Sequence, residues 1–126
     1  MKELLIVSVG SFLGGGLRYA VSRGFTLIVE TSFPFATFLV NILGCLFIGF
    51  FSGLPQSGSS FWGLRPETRL LLTTGLCGGF TTFSTFMKES QWLAGRHSWM
   101  MAAYIVLSLV LGFAAVWGGQ HLAKAL

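Results

Sequence analysis

The stretch from Thr73 to Phe86, TTGLCGGFTTFSTF, constrains this chain more than any other. It is apolar enough to lie in a membrane. Yet it carries six hydroxyl side chains, three glycines, one cysteine and three phenylalanines. A helix that only spans lipid has no use for that set. Gly75, Gly78 and Gly79 each weaken a helix by about 1 kcal/mol relative to alanine. The hydroxyls from Thr74 to Thr85 fall at membrane depth, where polar groups need partners and irregular backbone survives only inside protein or along a water-filled path. The stretch therefore reads as a transmembrane helix broken near Gly75 to Phe80, and the break is expected to bind or pass something polar.

The rest of the chain supports a membrane setting. Of 126 residues, 53% are hydrophobic and only 10% charged, where a soluble domain carries about 25% charged residues. Four segments approach the ~20 residues needed to cross ~30 Å of hydrocarbon. They run from about Leu4 to Tyr19 or a little beyond, from Phe35 to Leu54, from Leu70 to Leu93, and from Trp99 to Leu122. The expectation is an all-α membrane protein, one domain over residues 1–126, with four transmembrane helices and a broken third. The first segment has no small-residue cleavage site and reads as a mature helix, not a signal peptide. Pro55 to Ser60 (PQSGSS) reads as a loop, and Pro66 with Glu67 opens the third segment. Trp62, Trp92, Trp99 and Trp117 lie near segment ends, as interfacial anchors do. Cys45 and Cys77 fall inside apolar segments and read as free thiols.

Basic residues in cytoplasmic loops normally fix the orientation of such a chain. Here Lys2, Arg65, Arg69 and Lys124 fall on one side, and Arg18, Arg23, Lys88 and Arg96 on the other. Four against four leaves neither orientation favoured, so the chain is expected to insert both ways up, which permits an antiparallel homodimer. Gly10 with Gly14, and Gly49 with Gly53, are spaced for close approach of helices, between copies or within one chain.

Enzyme signatures are absent. Glu3, Glu30, Glu67 and Glu89 read as segment-end residues, His97 and His121 are not spaced as a metal pair, and no strand precedes GGGLR at Gly14 to Arg18 to make it a phosphate loop. The polar residues inside the segments are the candidates instead. Arg18 is the deepest basic residue, suited to attracting anions or to holding free carbonyls at a helix junction. Thr37 and Asn41 share one helical face, and the Asn41 amide offers two N–H donors that suit a small anion or an interhelical bond. Phe83 and Phe86 share a face, and their electropositive ring edges suit a small anion beside the hydroxyls of Thr82 and Ser84. Ser108 is the clearest polar residue of the fourth segment and reads as bonded to its own backbone. Tyr104, one turn before it, reads as an interfacial ring.

GGGLR, TFLVNILG and TTGLCGGFTTFSTF, with a small-residue fourth helix, resemble the fluoride channels of the CrcB/Fluc family over the whole chain. That resemblance implies an antiparallel, dual-topology homodimer with two pores in the cytoplasmic (inner) membrane. It also implies passive, fluoride-selective export and a structural Na⁺ at the dimer's centre. By motif position it assigns the main-chain carbonyls of Gly78 and Thr81 to Na⁺. It assigns Asn41, Phe83 and Phe86 to the fluoride path, with Thr82 and Ser84 in the same polar track and Arg18 as the basic residue after the glycines. One departure is on the fourth helix, where many relatives carry two polar residues and this chain has Ser108 and Gly112; Phe80 is bulkier than its usual counterpart. Two other readings compete. A small dual-topology exporter of cationic drugs shares the size, but needs a carboxylate within the membrane. A non-transporting assembly or lysis protein accounts for the glycines but not for the ordered TTGLCGGFTTFSTF.

Overall fold

The computed structural model describes residues 1–55 and 64–126, and within them the chain is all-helical. Helix α1 covers Lys2–Ile28 and α2 covers Phe35–Gly53. Helix α3 (residues 66–80) is composite: α-helical over Pro66–Leu70, π-helical over Leu71–Cys77 and α-helical again over Gly78–Phe80. Helix α4 covers Ser84–Ala94 and α5 covers Ser98–Lys124. Four stretches are long and apolar enough to cross a membrane, with α3 and α4 together forming the third, Pro66–Ala94. Trp62 and the expected loop at 55–60 beyond Pro55 lie outside the described residues. Trp92, Trp99 and Trp117 are exposed, as anchors should be.

The break lies one turn beyond the expected place. Gly75 sits in the π-helical stretch, Gly78 and Gly79 are helical, and the three non-helical residues are Thr81, Thr82 and Phe83. The reason is packing. Gly75 and Gly79 are small because α1 lies against them: a Cβ on Gly75 would come within 3.0 Å of the Gly10 Cα, and one on Gly79 within 2.7 Å of the Ser11 carbonyl oxygen. These glycines admit a neighbouring helix and do not interrupt their own. The π-helical winding just before the break is a form that occurs mostly as short insertions near functional sites.

Two parallel pairs form the bundle: α1 packs along α3, and α2 packs along α5. Both GxxxG pairs serve this packing. Gly10 and Gly14 meet the backbone of α3 at Gly75 and Leu76, and Gly49 and Gly53 meet α5 at Val116 and Ala123. Lateral contacts between α2 and α3, and between α4 and α5, join the pairs.

A cluster of Phe86, Leu93 and Tyr104 is the buried centre where α4 meets α5, with Phe33 and Phe38 packed around it. The Tyr104 ring stands edge-on to Phe86 at 4.9 Å between centroids. Tyr104 is 0% exposed, so it is a core residue and not the interfacial ring expected. Its neighbours supply the reason: rings on α4 and in the turn before α2 enclose it, and its hydroxyl donates to Glu89 Oε1 at 3.2 Å.

At the opposite end, Arg69 closes α2. Its Nη1 donates to the carbonyls of Phe51 and Ser52, and its Nη2 to those of Leu54 and Pro55, at 2.6–3.2 Å. These are C-terminal carbonyls without a helical partner, and a cation is favoured there by the helix dipole. Replacing Arg69 with Ala is therefore expected to destabilise the fold by about 2–3 kcal/mol, the worth of charge-assisted bonds to a helix end. Among the described residues Arg65 pairs with Glu67, at 3.8 Å on the surface, and Arg65→Ala should leave the unfolding midpoint unchanged. Thermal unfolding of both variants in detergent checks this.

Candidate functional site

Breaking a helix at membrane depth frees backbone groups that must find partners, and here side chains from three helices provide them. Thr81 turns extended, with ψ 159°, while its hydroxyl and amide both donate to the Cys77 carbonyl. Asn41 on α2 pairs with Thr82 at two points: its Nδ2 donates to the Thr82 carbonyl at 3.0 Å, and the Thr82 amide donates to its Oδ1 at 2.8 Å. Arg18 on α1 donates from Nε to the Gly79 carbonyl at 3.3 Å. Arg18 thus reaches across from α1 to the backbone just before the break. Thr82 then starts α4, its Oγ1 accepting the Thr85 amide at 3.3 Å, as an N-cap hydroxyl does. The same hydroxyl donates to Thr85 Oγ1 at 3.1 Å and lies 3.5 Å from Ser84 Oγ.

Beside the break is a groove of about 350 Å³, open on the flank of the bundle. It brings together Asn41, Thr81, Thr82, Phe83, Phe86 and Ser108, with Gly44, Cys45, Ile48, Cys77 and Leu109 completing its wall. The two rings contribute unequally. Phe83 is 71% exposed at the groove's edge, Phe86 is 5% exposed at its back, and their centroids are 6.1 Å apart. Ser108 does not bond its own helix; its Oγ is buried without a partner. A buried hydroxyl left unpaired costs roughly 1–3 kcal/mol, so this one is available to something that enters the groove. The Asn41 amide keeps one of its two N–H donors after pairing with Thr82.

Four expected site residues stand outside the groove lining. Thr37 is buried on α2. Ser84 is exposed at the first turn of α4, and Gly78 is exposed on α3. Arg18 lies on the α1 side of the break. Sequence reasoning missed Glu89, which it placed at a segment end. The structure turns Glu89 toward Tyr104, and Glu89 also lines a second hollow of about 360 Å³ between α4 and the turn joining α1 to α2. Its position one turn after Phe86, on the same side of α4, was the available signal. Gly112 faces Cys45, whose Sγ would lie 3.5 Å from a Cβ placed there.

Residues 5–120 match the family model for CrcB-like protein, Camphor Resistance (CrcB). The chain belongs to this family. Every residue of the groove falls inside the matched range. A CrcB-family protein of Flavobacterium psychrophilum named fluoride-specific ion channel FluC is 41% identical over 127 residues, with both chains fully covered. Proteins of the same name from Chlorobaculum tepidum and Maridesulfovibrio salexigens are 47% and 43% identical over 98% of this chain, and 96% and 97% of theirs. Four membrane-length helices and this family make the chain a multi-pass membrane protein.

The pairing of Asn41 with the Thr82 backbone has a direct consequence. Asn41→Asp keeps the acceptor for the Thr82 amide but sets an anionic oxygen against the Thr82 carbonyl. It is expected to lower stability by about 2 kcal/mol, more than Asn41→Ser, in which water can reach the freed carbonyl. Thermal unfolding at neutral pH checks the order; equal midpoints for both variants would show that the pairing is not holding the break.

Proposed function

We propose that this CrcB-family chain is a fluoride channel that lets fluoride leave the cytoplasm passively across the inner membrane. The observation that carries the reading is the unpartnered Ser108 hydroxyl in a groove that also holds a free N–H of Asn41. Fluoride is small and strongly hydrated, and stripping its water calls for several close donors. The free N–H of Asn41, the hydroxyl of Ser108 and the ring edges of Phe83 and Phe86 are of that kind, while the Thr82 hydroxyl beside them already donates to Thr85. None of the groove residues is a carboxylate, which suits an anion and gives a proton-coupled cation exporter nothing to work with. Three relatives named as fluoride-specific channels, at 41–47% identity over nearly the full length, support the same reading.

The channel is proposed to be an antiparallel homodimer. The groove is open on one flank and Phe83 stands exposed at its edge, so a second copy would close it. Charge supports insertion in both orientations. Arg18 and Arg69 bind carbonyls within the bundle and drop out of the loop count, one from each side. That leaves Lys2, Arg65 and Lys124 against Arg23, Lys88 and Arg96, still three against three.

Sodium fits the break as a structural ion. Thr81, Arg18 and Asn41 use the carbonyls of Cys77, Gly79 and Thr82, and none of these bonds uses the carbonyls of Gly78 or Thr81. Hard cations take oxygen ligands in numbers that two carbonyls do not satisfy, so a shared site between two copies, each contributing Gly78 and Thr81, fits the donor set. The ion would neutralise carbonyl charge at the break and lock the copies together.

Reconstitution in liposomes loaded with fluoride or chloride tests the proposal. Fast fluoride release with chloride retained is expected; equal release of both ions, or no release of either, would contradict it.

A further inference from the structure

The two cysteines of the chain line the same groove. Cys45 comes from α2 and Cys77 from the end of the π-helical stretch, and both are free thiols. The two residues come from neighbouring helices that pack side by side at this level. Gly112 faces the Cys45 sulfur and leaves it unobstructed by a side chain. Neither thiol donates to or accepts from a polar group among the hydrogen bonds that hold the break together. From this placement we infer that Cys45 and Cys77 form a two-thiol site for a soft divalent cation of the Hg²⁺ type, seated across the fluoride groove. The blocking half of this inference rests on the channel reading above; the binding half does not.

The chemistry follows from the ligands and their surroundings. Thiolates select soft d¹⁰ metals, and two of them satisfy a cation that binds in line. Each sulfur must lose its proton to bind. Two S–H bonds break, two S–Hg bonds form and two protons pass to water through the groove's open side, with no change in oxidation state. The product carries no net charge, which favours a divalent over a monovalent cation where charge is poorly solvated. A metal held there occupies the groove that Thr81, Thr82 and Ser108 also line, so it obstructs any ion passing through the groove.

The test titrates the purified full chain with Hg²⁺, following the sulfur-to-mercury charge-transfer absorption, for wild type, Cys45→Ser and Cys77→Ser. One Hg²⁺ per chain is expected, with affinity falling about 100-fold or more in either variant, because the second bond has become intermolecular or been lost. Two Hg²⁺ per chain, variants that bind as tightly as wild type, or a mercury-bridged pair of chains on electrophoresis without reductant would each overturn the site. In liposomes, one equivalent of Hg²⁺ should stop wild-type fluoride release and a dithiol should restore it, while the double variant Cys45→Ser/Cys77→Ser should keep its own untreated rate. Mercury-loaded wild type that still releases fluoride would overturn the block. The titration needs no flux, so a failed channel reading and a failed metal site give different results.

Discussion

The structure depends on the two hydrogen bonds between the Asn41 side chain and the Thr82 backbone. An interrupted helix inside a bilayer leaves amides and carbonyls without partners, each costing several kcal/mol in hydrocarbon. The carboxamide of asparagine presents one donor and one acceptor in the arrangement of a peptide group. It can therefore substitute for the helical ladder where the chain departs from it. With Thr82 fixed, its hydroxyl starts α4, and the direction of α4 is set. That direction places Phe86 in the core against Tyr104 and leaves Phe83 at the edge of the groove.

Polar groups in the bundle fall into two sets. One set is tied. Arg69 takes the carbonyls at the end of α2, Arg18 that of Gly79, Thr81 that of Cys77, and Tyr104 meets Glu89. These bonds make a rigid frame from a chain with few ion pairs among the described residues, and the pairs present join exposed groups near the start of α1 and α3. The other set is free to act. Ser108 keeps an unpartnered hydroxyl, Asn41 keeps one N–H, and the Phe83 ring is uncovered. A groove that offers these free groups, held by others that are already satisfied, is preorganised: an ion entering it would meet donors that need not be rearranged.

Much of this was legible in the sequence. Four apolar segments follow from length and hydropathy, and Phe35 opens α2 in both readings, but α1 runs on to Ile28, well past the expected end near Tyr19. The groove residues Asn41, Thr82, Phe83, Phe86 and Ser108 were recognisable as polar or aromatic groups with no reason to be in lipid. The break was misplaced because glycine lowers helix propensity wherever it stands, while its use here is to let α1 approach at Gly75 and Gly79. Propensity is local, and the choice between a kink and a close contact belongs to the neighbouring helix. Tyr104 and Glu89 were misread for the same reason. They are 15 residues apart on different helices, and no periodicity of either segment links them. The GxxxG pairs were correctly seen as contact surfaces, but spacing alone did not say that the contact is within the chain.

The central claim is that the groove beside the break is the ion's path, and Ser108→Ala tests it most directly. Deleting an unpartnered buried hydroxyl removes a desolvation cost, so the unfolding midpoint should hold or rise. If fluoride passes the groove, its release from liposomes should nonetheless fall about tenfold, the worth of one hydrogen bond of ~1.4 kcal/mol lost to the passing ion. A midpoint that holds together with wild-type fluoride release would place the path elsewhere and contradict the account.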